Sequence, residues 1–119
     1  MKIVVTAQGP TLDSAVDPRF GRARHLLLVD PQTMQTTAHD NRQNLNAPQG
    51  AGIQAAQAVH DLGAGAVVTG HVGPKAFATL RAAGIAVYLG ASGTVRDAVE
   101  QFRSGRLRAA DGANVEGHW

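Results

Sequence analysis

The chain has 119 residues, a formal net charge of +2 and no cysteine. This length is enough for one domain, 1–119, with a hydrophobic core that needs no disulfide or metal. The absence of cysteine excludes disulfides, thiolate nucleophiles and metal sites built on protein thiolates. No stretch approaches the roughly 18 consecutive apolar residues of a membrane span. The first residues are typical of a strand, not of a signal peptide, so we expect a cytoplasmic protein with no membrane partner.

Three strands are predicted in the first 40 residues. The first is apolar and covers 2–6, and a long loop rich in turn residues, 8–24, leads to the second strand at 25–30. The third strand, from about 35 to 40, is polar and rich in threonine. That composition favours an edge position in the sheet. The segment 41–52 has no apolar periodicity and is predicted to be a loop.

Helices and strands alternate in the rest of the chain. Apolar residues recur at helical spacing three times, with a short apolar strand between successive helices. These elements are expected at 55–62, 66–69, 76–83, 86–89 and 95–102. A glycine follows each helix, and Thr94 with Asp97 forms a capping-box pattern at the start of the third. The segment 107–119 is a tail without periodicity.

Strands first, then alternating helices and strands, indicate an α/β fold with a mixed sheet. Short, right-handed connections give five strands in the order 3-2-1-4-5, with strand 2 antiparallel. In that order the loop 8–24, the start of strand two and the turns after strands three, four and five share one edge. This is the carboxyl edge, where open α/β sheets bind ligands, here between strands one and four.

The turn after strand four is the best candidate for the wall of an anion site. Its glycines allow close approach of the backbone to a ligand. Pro74 fits the first position of a helix, whose unpaired N–H groups suit an anion. A second glycine-bearing turn precedes the third helix. The candidate cofactor-binding residues of these two turns are Gly70, His71, Gly73, Lys75, Gly93 and Thr94.

Three arginines, Arg19, Arg22 and Arg24, cluster in the first long loop. One interpretation is that they pair with Asp13 and Asp17 on a solvated surface. The other is that they supply counter-charge to an anion, and we include them as candidate cofactor-binding residues. The arginines are not regularly interleaved with aromatic residues, so the composition predicts no nucleic-acid partner.

His71, His25 and His39 are the candidate metal ligands, since imidazole suits copper and iron. His71 is the strongest candidate because it lies in the turn that starts a helix. The structural alternative is a backbone hydrogen bond for His71 and packing in a strand for His25. His39 lies on the expected edge strand, at the same edge of the sheet. His60 is expected on the surface. His118 reaches the site only if the tail folds back.

Short motifs occur in order along nearly the whole chain. They are Asp17-Pro18-Arg19-Phe20-Gly21-Arg22, Gly50-Ala51-Gly52-Ile53, Val68-Thr69-Gly70, Gly73-Pro74-Lys75-Ala76-Phe77, Ala83-Gly84-Ile85, Val87-Tyr88, Gly93-Thr94-Val95 and Gly117-His118-Trp119. Together they resemble the dinitrogenase iron–molybdenum cofactor biosynthesis proteins, most closely the small single-domain orange-protein members. The resemblance implies a ribonuclease-H-like three-layer α/β fold.

The same resemblance implies non-catalytic binding or carrying of an anionic molybdenum-containing sulfide cluster, of the molybdenum–copper or iron–molybdenum type. In the orange-protein branch a molybdenum–copper sulfide cluster is held without covalent attachment. That mode fits a chain without cysteine. The implied partners are the cluster and the proteins that deliver or accept it.

Enzymatic interpretations are weaker. The segment 90–94 lacks the final glycine of a nucleophile elbow, and the chain has neither a phosphate-loop nor a dinucleotide-binding motif. The first strand carries no carboxylate, which argues against a two-metal nuclease. Two alternatives remain. One is a small enzyme or binding module for a phosphorylated or nucleotide ligand at the same edge, and the other is a scaffold that binds a protein through these loops.

Overall fold

The computed structural model describes residues 1–41 and 50–114. These residues contain five strands and three helices. The strands are β1 (Ile3–Ala7), β2 (His25–Val29), β3 (Thr36–Asp40), β4 (Ala66–Val68) and β5 (Ala86–Tyr88), and the helices are α1 (Ala51–Asp61), α2 (Pro74–Ala82) and α3 (Val95–Arg103). Every predicted strand and helix is therefore confirmed. Within the described ranges, no helix is long and apolar enough to cross a membrane.

The five strands form one mixed sheet in the order β3-β2-β1-β4-β5. The strand β2 runs antiparallel to both of its neighbours, while β1, β4 and β5 are parallel. The predicted order and direction of strand 2 are confirmed. The carboxyl ends of β1, β3, β4 and β5 and the start of β2 consequently lie at one edge, which we call the carboxyl edge.

The sheet separates two hydrophobic cores, which makes the fold a three-layer α/β structure. All five residues of β1 are buried, as expected for a central strand covered on both faces. Val4 and Val67 pack with α1 and α2 on one face, which we call the helix-pair face. Val5 and Val68 pack with α3 on the other, which we call the single-helix face. The alternation follows from the two-residue period of a strand.

The helix α1 begins at Ala51, so the prediction that the loop continues to residue 52 is wrong. Gly50 precedes the helix in a left-handed conformation, with a φ of 77°. A Cβ placed on Gly52 would lie 3.0 Å from the Cβ of Ala76 in α2. These glycines, typical of loops, here start a helix and let two helices approach closely. The other residues of the predicted loop, 42–49, lie outside the described ranges.

The tail folds back over the sheet as far as it is described. Ala109 forms an antiparallel bridge with Tyr88 of β5, and the Ala110 N–H donates to the Val87 carbonyl at 2.7 Å. Asn114 then bonds to Val72, in the turn after β4. Isolated contacts of this kind leave no periodicity in the sequence. His118 and Trp119 lie outside the described residues.

Candidate functional site

Two buried threonines lie at the carboxyl ends of β1 and β4, the point where the strand order reverses. Thr6 extends the pairing of β1 with β4 and faces Thr69, with 2.7 Å between their hydroxyl oxygens. The Thr6 hydroxyl donates to the carbonyl of Asp17 at 2.7 Å. Because Thr6 has only one hydroxyl proton, Thr69 must donate to Thr6. This relay fixes the start of segment 17–20 against the carboxyl ends of the two central strands.

The segment 17–20 also pairs with the turn that follows β4. The His71 N–H donates to the Pro18 carbonyl at 2.7 Å, and the His71 carbonyl accepts from the Phe20 N–H at 3.1 Å. Phe20 is fully buried in the core. A Cβ placed on Gly70 would lie 2.7 Å from the Cβ of Pro18. Gly70 is thus required by the close approach of these two backbones.

The arginines of this region have different surroundings. The Nε of Arg19 lies 3.3 Å from Oδ1 of Asp17, a buried carboxylate, so the predicted pairing of Arg19 with Asp17 is confirmed. Asp13 instead contacts Arg96, at 3.5 Å. Arg22 is half-buried and Arg24 is exposed beside the first residue of β2. Part of the positive charge of the loop is therefore balanced within the protein.

The helices α1 and α2 start side by side at the carboxyl edge. Each helix runs from this edge to the opposite one, where the next parallel strand begins. The first turns of the two helices are in contact at Gly52 and Ala76. Within the described ranges, neither helix has a side-chain cap or an acidic residue in its first turn. The unpaired N–H groups and positive ends of the two helix dipoles are therefore adjacent. Lys75, exposed in the first turn of α2, adds a full positive charge.

The helix α3 begins at the same edge, but its first N–H groups already have acceptors: Val95 and Arg96 donate to the carbonyls of Ser14 and Leu12, both at 2.8 Å. The Asp97 N–H donates to the Thr94 hydroxyl and the Thr94 N–H to the Asp97 carboxylate, which confirms the predicted capping box. The pKa of Asp97 is lowered because the backbone and hydroxyl of Thr94 donate to its carboxylate. The Gly93 carbonyl accepts from the Val16 N–H at 2.9 Å. These contacts give Gly93 and Thr94 structural roles, and cofactor binding by either stays a prediction.

The candidate histidines lie in three different places. His25 is paired with Asp40 on the single-helix face, whereas His39 is paired with Leu26 on the helix-pair face. His71 lies in the turn after β4. Across residues 1–41 and 50–114, no group of three or more histidine, aspartate or glutamate side chains is arranged to hold a metal ion. Metal ligation by any one histidine stays a prediction, and His60 is exposed on α1 as expected.

Asn114 is a residue of this edge that the sequence did not reveal. Its backbone N–H donates to the Val72 carbonyl at 3.1 Å, and its Oδ1 accepts from the Val72 N–H at 2.8 Å. Its Nδ2 lies 3.1 Å from Nδ1 of His71. The asparagine follows four small or polar residues in a tail without periodicity, so no sequence pattern singles it out.

The fold and this edge define a class of protein: a three-layer α/β protein with two adjacent uncapped helix starts at its carboxyl edge. The profile of the family described as "dinitrogenase iron-molybdenum cofactor" matches residues 1–105. The chain belongs to this family. An uncharacterized protein of Methanocaldococcus jannaschii is 24% identical over 100 residues, which cover 82% of this chain and 85% of that protein.

Solved structures agree with this assignment. The apo form of the orange protein from Desulfovibrio gigas is 50% identical, with a TM-score of 0.93 and coverage of 96% of both chains. A NifB-like protein of the DUF35 family from Thermotoga is 30% identical, with a TM-score of 0.82 and coverage of 98% of both chains. The predicted membership of this family, and the predicted likeness to its orange-protein members, are thus confirmed.

Proposed function

We propose that this protein binds and carries an anionic molybdenum-containing sulfide cluster at the carboxyl edge, without catalysing a reaction on it. The observation that carries the proposal is the pair of uncapped helix starts in α1 and α2, beside the turn of His71 and Lys75. Two such ends, with no acidic residue in either first turn, favour an anion. Membership of the iron–molybdenum cofactor family and likeness to the orange protein support a molybdenum-containing cargo.

The cluster would be held without bonds to a cysteine thiolate, since the chain has no cysteine. Backbone N–H groups of the first turns would donate to sulfide, and Lys75 would contribute charge. Arg24 and Arg22 would add longer-range attraction from the far side of β1. A molybdenum–copper sulfide is the composition that we propose, in a cytoplasmic carrier that exchanges its cargo with delivery and acceptor proteins.

The same donors also suit a phosphate group, because helix N-termini bind phosphate and sulfide anions by the same means. A binding module for a phosphorylated or nucleotide ligand is therefore the second candidate. Lys75 and the uncapped first turn of α2 are the features that favour it. The two candidates differ in the ligand expected to raise the melting temperature of the protein: thiomolybdate with Cu(I) for the cluster carrier, and ATP for the phosphate-binding module.

The proposal is tested by metal analysis and by reconstitution. The protein purified from its host without added metals should contain molybdenum. With tetrathiomolybdate and Cu(I), the metal-free protein should develop a charge-transfer absorption band that the same reagents do not show without protein, and this mixture should raise its melting temperature. ATP should leave the melting temperature unchanged. No protein-dependent band with thiomolybdate and Cu(I), together with stabilisation by ATP, would favour the phosphate ligand and overturn the cluster proposal.

Cluster binding should depend on charge at the carboxyl edge. Arg24→Gln is expected to weaken thiomolybdate–copper binding about threefold, because it removes one exposed charge that acts mainly at long range. Arg106→Gln removes the same charge at the opposite edge and should leave affinity unchanged. Titrations followed by absorbance at low and high salt measure both effects. Equal affinity in low and high salt would contradict an electrostatic site.

A further inference from the structure

Asn114 holds the turn after β4 through its backbone N–H and its side-chain amide. Its backbone N–H and its side-chain Oδ1 bond to the carbonyl and N–H of Val72, at 3.1 and 2.8 Å. Its Nδ2 lies 3.4 Å from the Gly70 carbonyl and 3.1 Å from Nδ1 of His71. Asn114, the last described residue of the tail, thus contacts three consecutive residues of the turn, Gly70, His71 and Val72.

These contacts determine which atom of the asparagine faces the imidazole. A backbone N–H can only donate, so the side-chain atom that faces Val72 must be the carbonyl oxygen, Oδ1. The atom that faces His71 is therefore Nδ2, which can only donate. The carbonyl of Gly70, an acceptor, lies on the same side as Nδ2 and agrees with this orientation.

We infer that Asn114 is a positioning residue that holds His71 in the tautomer protonated on Nε2. Since Nδ2 donates to Nδ1, Nδ1 carries the lone pair and the proton of the neutral ring is on Nε2. His71 then offers an N–H donor to an anion at this edge, and not a lone pair to a metal ion. This inference rests on the proposed function for the identity of the anion, a metal sulfide.

Metal ligation by His71 would have to break this arrangement. Coordination through Nε2 requires the proton to move to Nδ1, where it would face the amino group of Asn114, donor against donor. Rotating the amide would bring Oδ1 to His71 but would place Nδ2 against the Val72 N–H. Either way a hydrogen bond of the turn is lost. Coordination through Nδ1 would require Asn114 to leave.

The tautomer can be measured directly. Long-range proton–nitrogen correlation spectra of ¹⁵N-labelled, metal-free protein, at a pH where the ring is neutral, should show His71 protonated on Nε2. Asn114→Asp keeps the size of the side chain and the acceptor for Val72, but presents an acceptor to Nδ1. This variant should shift the His71 proton to Nδ1. Ala113→Asp adds the same charge at the neighbouring exposed position and should leave the tautomer unchanged.

The spectra also separate this inference from the proposed function. Wild-type His71 protonated on Nδ1, or an unchanged tautomer in Asn114→Asp, would overturn the role of Asn114 whatever the protein binds. With tetrathiomolybdate and Cu(I) added, the Nε2 proton should persist, and its loss on binding would show ligation and overturn the donor role. Asn114→Asp should weaken binding about tenfold, as expected for a lost charge-assisted hydrogen bond, and Ala113→Asp clearly less. Absence of any binding, with the tautomer as inferred, would count against the cluster proposal alone.

Discussion

Lys75→Glu is expected to weaken binding of tetrathiomolybdate with Cu(I) by at least about tenfold. The substitution replaces an exposed positive charge in the first turn of α2 by a negative one, next to the start of α1. An anion held by the N–H groups of these first turns would then be repelled at short range, where salt screens little. Titration of the metal-free protein, followed by absorbance, measures the change.

The same substitution should not destabilise the protein. A glutamate in the first turn of a helix interacts favourably with the helix dipole, by about 0.3–1 kcal/mol. The melting temperature should therefore stay constant or rise while affinity falls. Arg106→Glu makes the same change in net charge beyond the end of α3, at the opposite edge, and should bind like the wild type. An equal loss of affinity in both variants would show that total charge, and not this site, governs binding.

The sheet could be predicted because its order depends on signals that lie within each element. The apolar run of β1, the polar β3 and the alternation of helix and strand after residue 50 leave few right-handed arrangements. The capping box of Thr94 and Asp97 could be predicted because it is a local pattern of four residues. The start of α1 could not be predicted, since glycines at positions 50 and 52 are typical of a loop. Here Gly50 precedes the helix and Gly52 lets it approach α2.

The site was harder to predict because its contacts join distant parts of the chain. Nothing in the sequence says that Asp13 pairs with Arg96 and not with an arginine of its own loop. Asn114 reaches His71 across 43 positions through a tail without a pattern. The faces of His25 and His39 depend on register, and a slip of one residue would exchange them. The carboxyl edge follows from topology, but the partners within it follow from packing.

Gly70→Val is expected to destabilise the protein by about 1–3 kcal/mol, the usual cost of forcing a larger side chain into a packed site. A Cβ on Gly70 would lie 2.7, 2.8 and 2.9 Å from the Cβ, Cα and carbonyl oxygen of Pro18. Two of these atoms belong to the backbone of Pro18, whose carbonyl accepts from His71 at 2.7 Å. The clash can be relieved only by separating the segment 17–20 from the turn after β4.

Chemical denaturation and amide exchange test this expectation together. Gly112→Ala is the matched control, because a Cβ there meets no atom within 4 Å, and its stability should equal that of the wild type. In Gly70→Val the His71 N–H should lose protection, since its acceptor on Pro18 is displaced. Cluster affinity should fall as well, because the turn that carries His71 and leads to α2 loses its support. A Gly70→Val protein as stable as the Gly112→Ala control, with His71 still protected, would show that the two backbones tolerate separation and that the turn is not held by this contact.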